Sequence, residues 1–128
     1  MSKFLRYTFL VHAVVATVLG AVLLIKPGLF AEFDPPWAPL DPLTSRVLGA
    51  ALLSFAWGSY KGWQAADRGQ VMYLVEMEAI FTVLGAAGLL RHLLEGSWPW
   101  YVWTLFIIIA IFAVLWLYHL YEARKSKA

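Results

Sequence analysis

Three side chains in this sequence could hold a proton or a polar ligand in otherwise apolar surroundings: His12, Glu76 and Glu78. Each lies inside a hydrophobic run, and both carboxylates fall in residues 71–90, VMYLVEMEAIFTVLGAAGLL. An ionisable group in hydrocarbon is costly unless it faces protein, water or a partner, so it marks a functional site by default. Two residues on a helix subtend about 200°, so Glu76 and Glu78 cannot act together as a carboxylate dyad. Glu78 falls in line with Thr82, Gly85 and Leu89, a small and polar stripe expected to face the protein interior. Glu76 falls in line with Tyr73, Ile80, Val83 and Ala87, and would face another helix, a subunit partner or the inner interface.

Depth selects a partner. At 1.5 Å per residue Glu78 lies roughly 12 Å from the preceding turn, and His12 is about as far from the start of its own run. The stripe Thr8, His12, Ala16 and Gly20 is again polar to small, and the second segment reaches this level near Trp57 and Gly58. The candidate site is therefore His12 with Glu78, and with Glu76, Trp57, Tyr60 and Tyr73 nearby. Such a pair could relay protons, hold a lipid headgroup or a quinone carbonyl, or bind a metal. It could equally satisfy its own hydrogen bonds and fix helix register. A tight metal site needs three or more ligands, and neither HExxH nor Glu-x-x-His is present, so no metal is assigned. No catalytic residue is assigned either, because the sequence holds no nucleophile triad, phosphate loop or nucleotide fingerprint.

The remaining polar residues have plainer expectations. His119, beside Tyr118 and Tyr121, should snorkel to water. His92, next to Arg91, marks an outer helix end, and the three histidines lie at different depths, which disfavours a bis-histidine haem. Arg46 should pair with Glu32, Asp34, Asp41 or Glu95.

The elements that position these residues follow from composition. Of 128 residues 62% are hydrophobic and 14% charged, with a mean hydropathy of +0.70. A soluble domain carries about 25% charged residues, and a chain this short has too little interior for so much apolar surface. The solvent must be lipid. The absence of cysteine excludes disulfides, thiol redox chemistry and Cys-ligated metals. Basic residues sit at segment ends rather than in a patch, which argues against nucleic acid as a partner.

Four apolar segments, about residues 4–25, 44–63, 71–90 and 98–121, reach the roughly 20 residues that a membrane-spanning helix requires. The first is longer than the core of a signal peptide and reads as a retained helix. It stops at Lys26-Pro27-Gly28. An outer loop, 28–43, follows, with Pro35, Pro36, Pro39 and Pro42 set among Phe30, Phe33 and Trp37. Thr44-Ser45 is a candidate N-cap for the second helix, and AADRGQ at 65–70 is a tight turn. The expected fold is all-α: one domain over residues 1–128, an antiparallel bundle of four transmembrane helices.

Counting basic residues orients it. Lys3, Arg6, Lys61, Arg68, Arg124, Lys125 and Lys127 share one side and Lys26, Arg46 and Arg91 the other, so both termini are expected in the cytoplasm, from an inner membrane. For packing, Arg46, Ala50, Ser54, Gly58 and Gly62 form a small-residue stripe, joined by Gly85 and Gly88 on the third helix. This serves helix packing within the chain or a seam between two copies. The fourth helix, rich in large apolar residues, should face lipid or a partner.

Pro27-Gly28 before an aromatic outer loop, and Arg46-x-x-Gly49-Ala50 opening the second helix, resemble the DoxX-like group of small four-helix bacterial membrane proteins. That resemblance implies the four-helix fold and, in some relatives, a quinone-linked oxidoreductase subunit. The leading functional expectation is an accessory or interaction subunit of a larger membrane assembly or an oligomer, without enzymatic activity of its own. A lipid- or quinone-binding protein with a His12/Glu78 site is the second, and a proton-coupled transporter using Glu78 the third. Partners are the lipid bilayer and another protein or a second copy; no cofactor is dictated, though quinone or lipid would fit.

Overall fold

The computed structural model describes residues 1–32 and 41–125. The expectations placed on Phe33, Asp34, Pro35, Pro36, Trp37, Pro39 and Lys127, and on the Phe30 side chain, fall outside the described residues. Among the described residues the chain forms four α-helices and no strand. These gather into two compact units, Met1–Ala65 and Ala66–Ala128, each a helical hairpin.

The first hairpin holds α1 (Lys3–Ile25), a 3₁₀ turn (Pro27–Glu32) and α2 (Pro42–Gln64). The Ser2 hydroxyl accepts from Leu5 N at 3.2 Å and satisfies one orphan donor at the start of α1. The helix ends where Pro27 cannot continue it, as the Pro-Gly signal requires. The chain then winds into the 3₁₀ turn, whose Glu32 carboxylate lies 2.8 Å from Lys26 Nζ. Helix α2 begins earlier than Thr44-Ser45. Asp41 is its N-cap, accepting from Thr44 N at 3.2 Å, and Pro42 occupies the first turn, where a missing N–H costs nothing.

Within this hairpin the two backbones approach closely. A Cβ on Gly49 would lie 2.7 Å from Leu24 N and 2.8 Å from Gly20 O, and one on Gly20 would lie 2.9 Å from Gly49 O. A Cβ on Gly62 would sit 2.7 Å from the Phe9 ring. The order of these contacts makes the helices antiparallel. The buried stripe of α2 is Ser45, Gly49, Ala56, Ser59 and Gly62. Of the expected stripe, Gly62 is buried and Gly58 half-buried, while Arg46, Ala50 and Ser54 are exposed. The reason is periodicity. A strict four-residue spacing advances 400° per step and drifts off one face, whereas alternating four and three holds to a partner at about 3.5 residues per turn.

The second hairpin holds a 3₁₀ turn (Gly69–Val71), α3 (Met72–Leu94) and α4 (Trp100–Lys125). Asp67 Oδ1 accepts from Gly69 N at 2.5 Å to form the turn, and Arg68 Nη2 donates to the His119 carbonyl at 2.7 Å. At the far end Trp98 Nε1 donates to the His92 carbonyl at 3.0 Å and its ring packs 4.0 Å from that imidazole. Helix α3 runs four residues past residue 90, so Arg91 and His92 fall in its last turn, where positive charge complements the helix dipole. Gly85 and Gly88 do not make a close crossing: a Cβ on Gly85 would meet Ile109 at an ordinary 3.7 Å, and one on Gly88 would meet nothing within 4 Å. Large buried side chains fill this unit instead, among them Trp116, Leu93, Val102 and Phe112.

Helix α1, the segment Gly69–Leu94 and α4 are each long and apolar enough to cross a membrane. Their exposed residues include Val11, Val14 and Val18 on α1, Ile80 and Leu84 on α3, and Ile107, Ile111 and Val114 on α4. Water would expel such surfaces and lipid accepts them. The chain is an all-helical membrane protein. The expected second segment, α2, carries Arg46, Lys61 and three serines along its length and falls short of the other three in apolarity.

Candidate functional site

His12 lies on the buried face of α1 with Thr8, Ala16 and Gly20. Its Nδ1 is 2.8 Å from Ser59 Oγ on α2, across the hairpin, and whichever atom carries the proton donates. Both residues are buried, at 5% and 0% exposure. The bond exists because Gly20, Gly49 and Gly62 bring the helices close enough for two short polar side chains to meet. The sequence puts this level of α2 near Trp57 and Gly58, and the residue that meets His12 is the next one, Ser59. The signal was the serine's place on the buried stripe, which the four-residue spacing obscured.

Trp57 and Tyr60 point away from His12. They are 61% and 38% exposed and form an outward aromatic row with Trp63, at centroid separations of 5.6 and 5.9 Å. Lys61 Nζ lies 4.9 Å over the Trp57 ring, and Gln64 Nε2 donates to Tyr60 Oη at 2.8 Å. An amphipathic row of this kind belongs at a membrane–water boundary. It does not line a buried ligand site with His12.

In the second hairpin Glu78 is 2% exposed and shares its face with Val75, Ala79 and Thr82. Thr82 Oγ1 donates to the Glu78 backbone carbonyl at 2.6 Å, so the threonine hydroxyl is satisfied within its own helix. Glu76 and Tyr73 are exposed, as the 200° between Glu76 and Glu78 requires. Of the candidate site residues, His12 and Glu78 are thus buried, with Trp57, Tyr60, Tyr73 and Glu76 on outer surfaces.

His119 departs from expectation. It is 0% exposed instead of snorkelling; its ring packs edge-on against Tyr118 at 5.6 Å and tilted against Trp116 at 6.2 Å. Side chains on a helix lean back over the preceding turn, and on α4 that direction keeps this imidazole among aromatic rings. Of the acids expected to pair with Arg46, the three described ones are engaged elsewhere: Glu32 with Lys26, Glu95 with Arg91 at 3.3 Å, and Asp41 with the α2 N-terminus. Among the described residues no three His, Asp or Glu side chains gather as metal ligands.

Helical architecture among the described residues and three helices long and apolar enough to cross a membrane define a helical type of membrane protein. Compared with protein-family models, curated proteins and solved structures, the chain matches none.

Proposed function

We propose that this protein is an accessory or interaction subunit of a larger membrane assembly, or of a homo-oligomer, in which α2 offers the contact face. The reading rests on one observation: Arg46, Ala50, Ser54, Trp57 and Lys61 are all exposed on the least apolar helix. Lipid gains little from small and polar side chains, whereas another helix gains close backbone approach from Ala50 and Ser54. Ser54 already donates to the Ala50 carbonyl at 3.0 Å, so the face can be covered without stranding a hydroxyl. The DoxX-like resemblance, with Arg46-x-x-Gly49-Ala50 at the same place, belongs to this proposal.

The topology that goes with it has four crossings and both termini on the cytoplasmic side of the inner membrane, supported by the clustering of basic residues. The cysteine-free chain allows a direct check. Single cysteines at Lys3 and Lys125 should react with a membrane-impermeant maleimide only after permeabilisation, and one at Ser97 before it. For the functional reading, native mass spectrometry from mild detergent is decisive. A dimer or a stoichiometric partner complex is expected, and Ala50→Leu with Ser54→Leu should disperse it. A lone wild-type monomer overturns the proposal.

The burial of His12 and Glu78 in membrane-crossing helices supports a second reading, a site for a quinone carbonyl, a lipid headgroup or a proton. It requires thermal stabilisation by quinone or lipid analogues that is lost in His12→Ala and Glu78→Gln. Absence of any response in the wild type refutes it.

A further inference from the structure

The outer surface of the second hairpin carries a groove of about 630 Å³ between α3 and α4, within the size range of small-molecule sites. Its walls are apolar over most of their length: Ile80, Val83 and Leu84 on α3 face Leu117 and Leu120 on α4. At one end the character changes sharply. Glu76, four residues into α3, and Arg124, one residue from the end of α4, both line the groove. Both are exposed, and neither is joined to another described residue by an ion pair. Because the helices run antiparallel, both charges lie at the end that carries the Gly69–Val71 turn.

We propose that this groove holds a zwitterionic phospholipid whose headgroup ends in a primary ammonium. The dimensions fit. From Met72 to Leu84 the groove rises roughly 18 Å along α3, close to the roughly 15 Å of hydrocarbon in one leaflet. Its charged end therefore meets the headgroup layer while its apolar length lies beside acyl chain. The charges choose among headgroups. A guanidinium binds a phosphate through two parallel N–H donors, and a carboxylate beside it accepts N–H from an ammonium. A purely anionic headgroup satisfies Arg124 but leaves Glu76 against like charge. A quaternary ammonium neutralises Glu76 without donating a hydrogen bond. Only the primary amine serves both ends. The corresponding groove of the first hairpin, between α1 and α2, is lined by Leu10, Val14, Val18 and Leu53 and carries no charged residue, so it offers acyl contact without headgroup choice. This inference does not depend on the α2 contact face.

The test is native mass spectrometry of the full chain after partial delipidation, with phosphatidylethanolamine, phosphatidylcholine and phosphatidylglycerol supplied in equal amounts. Wild type should retain phosphatidylethanolamine about tenfold over either competitor, the scale of one charge-assisted contact of about 1.4 kcal/mol. Glu76→Gln should abolish the preference over phosphatidylcholine and raise phosphatidylglycerol binding; Arg124→Gln should lower retention of all three. Leu84→Trp, which fills the apolar length at an exposed position, should reduce total retention with unchanged helix content by circular dichroism. Equal retention of the three lipids by wild type overturns the proposal. So does an unchanged preference in Glu76→Gln, or a protein dimer that Leu84→Trp disperses without change in bound lipid.

Discussion

The two hairpins solve the same problem, pairing two antiparallel helices, by opposite means. In the first, glycines let the backbones of α1 and α2 touch near Gly20 and Gly49, and a buried His12–Ser59 bond crosses the seam. In the second, a Cβ on Gly85 would meet α4 only at the Ile109 side chain, at an ordinary 3.7 Å, and large side chains fill the unit. Lipid tails are as apolar as leucine, so neither pairing draws on expulsion from water; both draw on dispersion and hydrogen bonding. Close backbones give the first many short contacts and no room at the glycine crossing. Bulk gives the second its contacts. The first hairpin should therefore fail when atoms are added and the second when atoms are removed.

The largest effect is expected from removal. Trp116 is 0% exposed, and Trp116→Ala should cost about 3 kcal/mol, the low end of such truncations in soluble cores because lipid does not penalise apolar exposure. Denaturant titration of the reconstituted protein measures it. Next comes addition. Gly49→Leu forces a side chain against Leu24 N and Gly20 O, backbone atoms that cannot swing aside, and should destabilise by about 3 kcal/mol or slightly less. If Gly49→Leu is tolerated while Trp116→Ala unfolds the chain, the contrast between the hairpins is broken. A double-mutant cycle on His12→Ala and Ser59→Ala should give a coupling of about 1 kcal/mol, within the range of interhelical hydrogen bonds in membranes. A coupling near zero would assign the first seam to glycine packing alone. The smallest effect is Gly88→Ala, which adds a methyl to open space and should stabilise α3 by up to about 0.8 kcal/mol, against a clear loss for Gly49→Ala.

Much of this architecture is legible in the sequence because its signals are local. Pro27 ends α1, the polar turn at 65–70 separates α2 from α3, and the spacing of Glu76 and Glu78 puts one out and one in. The start of α2 was legible too, in Asp41-Pro42, although Thr44-Ser45 competes for the same role with similar cap chemistry. What was not legible depends on how one helix meets another. The choice between Gly49 and Ala50 as the crossing residue is a rotation of 100°, and a stripe of small residues at every fourth position does not fix it. Ser59 became a partner for His12 only through that rotation, and Trp57 and Tyr60 left the site by the same turn. His119 had every surface signal, tyrosines and a nearby basic tail, yet its position on α4 turns it inward.

The close approach at Gly20 and Gly49 also bears on how the protein enters a membrane. Helix α2 is too polar to rank with α1, α3 and α4 as an independent span, and its serines at 45 and 59 would be costly against bare lipid. Packed on α1, it turns both serines inward with Gly49. On the proposed four-crossing topology, insertion of α2 is a pairwise event in which α1 serves as its first solvent. In a cell-free translation system α2 alone should pass into the lumen, and α1 and α2 made together should lodge as a hairpin. Gly49→Leu should uncouple the two.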